Sequence, residues 1–385
     1  MCLMYVIAQL LSELNSLRKR FEMDSPYSKE LQVAIAAVQS AAKLSQAVIS
    51  VEDKGVIEKD DLSPVTVADF AIQALLTATI HHAFPDDKFV GEESAADLRA
   101  NPVLLGRVWE LLQRLQEDQA RSLCKLPDTP DQMCEMIDWC GFGEPGGPQA
   151  GRVWVFDPID GTKTFVRREA YAINVALLEG SSQVLSVVGC PTISADAATP
   201  ITNTSVDPTG RGCIVFAVKG HGTYIRALVA SSPDEVRVRK IEPHAGAESS
   251  QALRPVSCYN MLDSGVDDVH RLIMDKLNIE NKGCDLLAWV LRWVTLGIGL
   301  ANMTVWVYKQ RSRTGKIWDH AGAMLLFEEV GGKITDVDGK PIDLGVGRKM
   351  SANHGFVAAP KALHATVLDT VQQVLREQGK EHLLG

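Results

Sequence analysis

The chain has 385 residues, 46% of them hydrophobic and 23% charged, with a formal net charge of −9. That length allows two packed lobes or one large two-lobed domain around a sizeable core, and the composition is ordinary for a soluble globular protein. The acidic balance argues against nucleic acid or an anionic membrane surface as a partner. An acidic protein that handles an anionic substrate needs positive charge concentrated at one place, and metal ions are its simplest source. Eight cysteines are scattered without a Cys-x-x-Cys pair, so they read as reduced, mostly buried thiols.

Residues 1–11 are mostly apolar but lack a basic front and a small-residue cleavage site, and they are too short to span a bilayer. Leu10, Leu11, Leu14 and Leu17 continue at helical spacing, so residues 1–26 read as an appended extension, helical or outside the folded body. Residues 27–51 place Leu31, Ala34, Ile35, Val38, Ala41 and Ala42 on one helical stripe. A second helix is expected from Asp69 through Ile80, and a strand over residues 88–91 stops at Gly91. Residues 103–115 are helical by spacing. Residues 127–148, rich in Pro, Gly and Asp, read as a loop or flap. Residues 152–156 form a buried strand that leads into Asp157.

The second half begins with strands over 173–178, 184–190, 213–218 and 223–226. A helix covers 266–277. Another is expected over 317–331, starting at Trp318-Asp319-His320 and stopped by Gly331-Gly332. A strand near Ile334 and a last helix over 362–377 complete the chain. The segment 289–306 is the nearest approach to a membrane span, but Arg292, Thr295, Asn302 and Thr304 interrupt it. The expectation is therefore a cytoplasmic protein without a membrane partner. The domain expectation is a lobe of residues 27–190 holding most metal ligands and a lobe of residues 191–385 holding Asp319 and the specificity residues.

Four clusters carry the chemistry: Thr66-Val67-Ala68-Asp69, Gly91-Glu92-Glu93-Ser94, Asp157-Pro158-Ile159-Asp160-Gly161-Thr162 and Trp318-Asp319-His320-Ala321-Gly322. Each places a carboxylate at the end of an apolar segment or the start of a helix. Alone, each has a plainer explanation: a surface turn, a solvated pair, or an Asp capping a helix. Together they are hard to explain as four separate caps. Oxygen-only ligands suit hard cations such as magnesium. Ions held by Glu92, Asp157, Asp160 and Asp319 would reverse the local sign for a phosphate ester, and Asp69 with Thr162 could orient and deprotonate water. Backbone amides at Gly161-Thr162-Lys163 could hold a phosphate oxygen.

In this order the motifs resemble the lithium-sensitive, magnesium-dependent phosphatases of the inositol monophosphatase superfamily, and most closely the 3'(2'),5'-bisphosphate nucleotidase branch. Residues 63–73, 157–163, 275–279 and 316–321 carry the resemblance, which extends from about Tyr27 to the C-terminus. It implies an α+β fold, a layered αβαβα sandwich. It implies two or three Mg2+ held by Glu92, Asp157, the Ile159 carbonyl, Asp160 and Asp319, with Asp69 and Thr162 activating water. Gly161, Thr162, Ser257, Arg292 and Asp319 match substrate-contacting positions.

The nucleotide-holding part departs from the pattern. The branch carries His-Ser-Ser-His where this chain has Val256-Ser257-Cys258-Tyr259. Trp289 and Arg292 stand at a Ser and Lys three apart, Tyr308 or Lys309 at an Arg, and Thr164 at a Gly. The expected reaction is hydrolysis of a phosphate monoester by metal-activated water. The expected substrate is a small phosphorylated metabolite, adenosine 3',5'-bisphosphate or 3'-phosphoadenylyl sulfate. Alternatives are an inositol phosphate, a sugar phosphate or a specialised metabolite, or a non-catalytic phosphometabolite-binding protein, as monomer or homodimer.

Overall fold

The computed structural model describes residues 23–49, 57–58, 64–118, 124–146, 151–229, 237–243, 250–259, 265–280 and 283–385. The extension expected over residues 1–26 lies almost wholly outside them. Helix α1 (Ser28–Ile49) buries the anticipated stripe from Leu31 to Ala42. A short antiparallel pair follows, β1 (Ile57–Glu58) with β2 (Pro64–Val65). Helix α2 (Val67–Ala83) starts two residues before Asp69 because Thr66 caps it. The Thr66 hydroxyl accepts from the Ala68 N–H, and the Asp69 side chain accepts from the Thr66 N–H, a reciprocal capping box. Strand β3 (Lys88–Gly91) ends at the predicted glycine, and α3 (Ala96–Ala100) and α4 (Pro102–Asp118) follow.

The loop expected over 127–148 contains a helix, α5 (Pro130–Trp139). Its proline sits in the first turn, where a missing N–H costs nothing, and the Thr129 hydroxyl accepts from the Gln132 N–H as N-cap. Met133, Cys134, Met136 and Ile137 are its buried face. The chain then forms β4 (Arg152–Asp160), α6 (Thr162–Val166), β5 (Ala172–Glu179), β6 (Ser182–Cys190), β7 (Cys213–Val218), β8 (Gly222–Ala227) and β9 (Arg239–Lys240). After these come β10 (Val256–Ser257), α7 (Asp267–Lys276), β11 (Cys284–Asp285), α8 (Trp289–Gly297), β12 (Thr304–Trp306), α9 (Ala323–Glu328), β13 (Gly332–Thr335), β14 (Phe356–Pro360) and α10 (His364–Glu377).

Strands β3 to β9 form one sheet in sequence order, with β3 parallel to β4 and every later neighbour antiparallel. Alternate side chains divide it between two cores, as strand pleating requires. Trp154, Phe156, Val175 and Phe216 pack with α1, α2, α4 and α5. Val153, Val155, Ala176 and Val215 pack with α8 and α9, which also cover Trp306 and Phe356 of a second sheet, ordered β12-β14-β13. The far face of that sheet, with Val305 and Val357, packs on α7 and α10. Helix, sheet, helix, sheet, helix is the anticipated αβαβα sandwich.

One predicted helix is broken. Residues 317–331 are a 3-10 turn over Ile317–Asp319 followed by α9, with Gly322 at φ 78° between them. A Cβ on Gly322 would lie 2.6 Å from the Ala176 Cβ of β5. Glycine therefore allows both the unusual backbone and the close approach to the sheet. The break takes Asp319 out of the helix and leaves it on the turn.

Candidate active site

Asp157 and Asp160 share strand β4, three residues apart. In a regular strand that spacing sends side chains to opposite faces. Here Asp157 pairs with Asn174 and Asp160 with Ala172, so three steps along β4 answer two along β5. This is a β-bulge. Pro158 has no N–H to give a neighbouring strand, which makes this the natural place for it. The extra residue brings both carboxylates to one side.

Asp319 reaches them from the 3-10 turn. The Asn174 side-chain amide, fully buried beside Asp157, donates to the Trp318 and Ala321 carbonyls at 2.8 Å each. Gln183 on β6 accepts from the Gly322 N–H at 3.0 Å. The turn is thus fastened to β5, the neighbour of β4, and to β6 beyond it. Carboxylate oxygens of Asp157, Asp160 and Asp319 all lie within 4.8 Å of one another.

Glu92 follows the last residue of β3, where Gly91 pairs with Phe156, so it stands beside Asp157. Gln73 of α2 holds this strand end from below. Its amide donates to the Glu93 carbonyl at 2.8 Å and the Ile137 carbonyl at 3.1 Å, and it accepts from the Glu93 N–H at 2.9 Å. Asp69 both caps α2 and faces the cluster. Its Oδ2 accepts from the Thr66 N–H at 2.8 Å and hydroxyl at 2.6 Å, while its charge reaches Asp157. The Thr162 hydroxyl donates to the Ile159 carbonyl at 3.2 Å. Gly161 turns the chain at φ 90°, where a Cβ would meet the Thr164 hydroxyl at 2.7 Å. Asn174 and Gln183 go unnoticed in the sequence and Gln73 reads only as the end of the resembling segment 63–73, since a single buried amide has no spacing signature.

Electrostatically the cluster is under tension. Burial, then the charges of Glu92, Asp160, Asp319 and Asp69, pushes the Asp157 carboxyl well above its usual range. Burial pushes Asp160 up to about 7, against the pull of the Val290 N–H and the Arg292 charge. Burial, then Asp160 and Glu92, raises Asp319 against a hydrogen bond with Asp157 and the Lys316 charge. Asp157 Oδ1 is buried with no hydrogen-bond partner from the protein. A cleft of about 1020 Å³ opens beside Glu92 and Asp319.

The two remaining substrate candidates lie away from this opening. Arg292 is 0% exposed. Its Nε donates to the Leu286 carbonyl at 2.8 Å and its Nη2 to the Leu287 carbonyl at 3.0 Å, with the guanidinium over the Trp289 and Trp306 rings at 4.1 and 4.7 Å. In this arrangement it braces the start of α8, where the Val290 N–H donates to Asp160 Oδ2 at 2.5 Å. Ser257 is buried on β10, its carbonyl accepting from the Leu286 N–H at 2.9 Å.

Oxygen-only carboxylates converging from β4 and the Ile317–Asp319 turn, those of Asp157 and Asp160 buried, define a candidate centre for a hard cation. The chain belongs to the inositol monophosphatase family, whose description matches residues 27–376. It is 32% identical to a 3'(2'),5'-bisphosphate nucleotidase of Emericella nidulans, across 91% of this chain and 99% of that protein. A 3'(2'),5'-bisphosphate nucleotidase of Schizosaccharomyces pombe is 33% identical, across 90% of this chain and 96% of its own. Among solved structures, an IMPase of Thermotoga maritima shares the fold with a TM-score of 0.56. It covers 91% of this chain and 99% of that one at 18% identity. Among the described residues no helix is long and apolar enough to cross a membrane.

Proposed function

We propose that the chain is a Mg2+-dependent phosphatase that removes a phosphate monoester from a small metabolite. The first candidate is the 3'(2')-phosphate of adenosine 3',5'-bisphosphate or 3'-phosphoadenylyl sulfate. The observation that carries the reaction is the convergence of Asp157, Asp160 and Asp319 within 4.8 Å. The names of the curated relatives favour the nucleotide.

The residues fit the cation. The donors are all oxygen, three of the carboxyls are raised by burial and then by neighbouring negative charge, and Asp157 Oδ1 is an orphaned buried acceptor. Glu92, Asp157, Asp160, Asp319 and the Ile159 carbonyl would hold it. When bound, Mg2+ supplies positive charge against the phosphate and makes water a stronger acid. Asp69, its Oδ2 fixed by Thr66, is the rigid base that takes the proton of the attacking water, and Thr162 orients that water. Gly161 and Thr162 form the turn on which the phosphate rests. Arg292 serves as a positioning residue, holding the α8 start against Asp160.

The experiment is phosphate release from a panel of nucleotide, inositol and sugar phosphates, with and without Mg2+, for the native chain and Asp157→Asn. Release from no member under any condition would sink the reading. The departures from the nucleotidase pattern favour a second substrate class: Val256 and Tyr259 stand where the His-Ser-Ser-His string has its two histidines, and Arg292 is buried. A higher kcat/KM for an inositol or sugar phosphate than for the nucleotide would select that class.

A further inference from the structure

Three cations line the cleft beside the carboxylate cluster: Lys316, Arg348 and Lys349. Two of them face each other. Lys316 and Lys349 are directly opposed in an antiparallel bridge, flanked by hydrogen bonds from the Ile317 N–H to the Arg348 carbonyl and from the Met350 N–H to the Gly315 carbonyl, both 3.1 Å. Opposed residues in such a pair carry their Cβ atoms about 5 Å apart, and like charges there repel. Among the described residues neither lysine makes a salt bridge with a carboxylate.

The pair stands close to the reaction centre. Lys316 is three residues from Asp319 and its charge is felt there. Its ammonium lies 5.6 Å from the centre of the Trp318 ring, and the Arg348 guanidinium lies 4.8 Å from the same ring. Arg348 is fixed in place, donating to the Cys140 carbonyl at 2.6 Å. Lys349 is exposed. The acidic groups on the same cleft are Glu92, Asp319 and Glu144, and the first two belong to the metal candidates.

We propose that Lys316 and Lys349 form a subsite for a second oxyanion, phosphate or sulfate, on a metabolite whose first phosphate sits at the carboxylate cluster. The inference rests on the phosphatase reading and adds to it the residues that hold a second anionic group on the substrate. A mutually repelling pair with no carboxylate partner is stabilised when an anion lies between its ammonium groups. With Arg292 turned into the core, Lys316, Lys349 and Arg348 are the described positive charges that share a cleft with Glu92 and Asp319, and Arg348 is held by the Cys140 carbonyl and the Trp318 ring. An alternative is that the lysines merely offset nearby carboxylates. In that case they would serve every substrate equally.

Matched substrates separate the two. Adenosine 3',5'-bisphosphate is compared with adenosine 3'-monophosphate, and an inositol bisphosphate with the inositol monophosphate, for the native chain, Lys349→Gln, Lys316→Gln and Lys349→Arg. The expected result is a KM for the two-anion member raised about tenfold or more by Lys349→Gln, with kcat and the one-anion KM nearly unchanged. For Lys316→Gln, whose charge also reaches Asp319, the expected result is a two-anion KM raised well beyond any loss on the one-anion member. Lys349→Arg restores the native ratio, since it keeps the charge. Equal loss on both members of each pair, or no loss on either, overturns the subsite while leaving the phosphatase intact. No release from any compound by the native chain overturns both.

Discussion

On the β4 side of the site, carboxylates crowd together with raised pKa values, and Asp157 keeps a buried oxygen that no protein group satisfies. On the α8 side, polar groups turn inward and find partners. Arg292 donates to two carbonyls, Trp293 Nε1 donates to His320 Nδ1 at 3.0 Å, and the Thr295 hydroxyl donates to the Arg292 carbonyl at 2.7 Å. Both sides are buried, so burial does not distinguish them. Satisfaction alone does not either, since His320 Nε2 on the α8 side is also a buried atom without a hydrogen-bond partner. Charge does. On the β4 side like-charged carboxylates crowd one another, an arrangement that persists where a cation binds. On the α8 side a single guanidinium is held by two carbonyls and two indole rings and serves the scaffold.

That contrast can be broken by substitution. Trp293→Ala should cost about 3–5 kcal/mol of stability, from lost packing and the unpaired His320 nitrogen, as read by denaturant unfolding. A small cost would mean that the α8 side is not scaffold. Asp157→Asn should keep the fold and lower phosphate release by about 10²–10³-fold. Full activity in that variant would remove the chemistry from the β4 side. Asn174→Ala should lower metal affinity or activity by about 10–100-fold through the Asp319 turn, because such supporting residues act at that scale. If Mg2+ titration shows no change, the turn is held by other contacts.

The smallest effect is in pH. Asp157 and Asp319 are raised well above the usual carboxylate value and Asp160 to about 7. Without metal, the folded chain therefore holds protons that the unfolded chain has released, and these groups stabilise it less as pH rises from about 4 towards 7. A cation needs the same groups deprotonated. The rise in melting temperature on adding Mg2+ should be a few degrees larger at about pH 8 than at about pH 5.5. Equal rises would detach the raised carboxyls from the metal.

Legibility in the sequence followed the same division. Strands such as Lys88–Gly91 and Cys213–Val218 could be read directly, because buried runs bounded by glycine and turn residues have few other conformations. The four carboxylate motifs were visible because they are local. The bounds of helix α8 could not be read from spacing, because all nine of its residues are buried, Arg292 included, which leaves no polar face to mark a period. Helix α5 escaped because Pro130 reads as a breaker until its place in the first turn is known. Arg292 carried a charge that suggested a ligand. Its direction was set by the Leu286 and Leu287 carbonyls and two indole rings, contacts that no local pattern encodes.

The bulge in β4 has one more consequence. Two aspartates on a straight strand could share a face with a single residue between them, so parity alone does not call for the longer Asp-Pro-Ile-Asp spacing. The longer spacing adds a peptide unit outside the ladder, since Pro158 and Ile159 have no register partners on β5. Its carbonyl, at Ile159, is spare as far as the sheet is concerned and faces the Thr162 hydroxyl. On the proposed reading, the irregularity would give the centre an uncharged oxygen that brings no further repulsion to three carboxylates already in conflict.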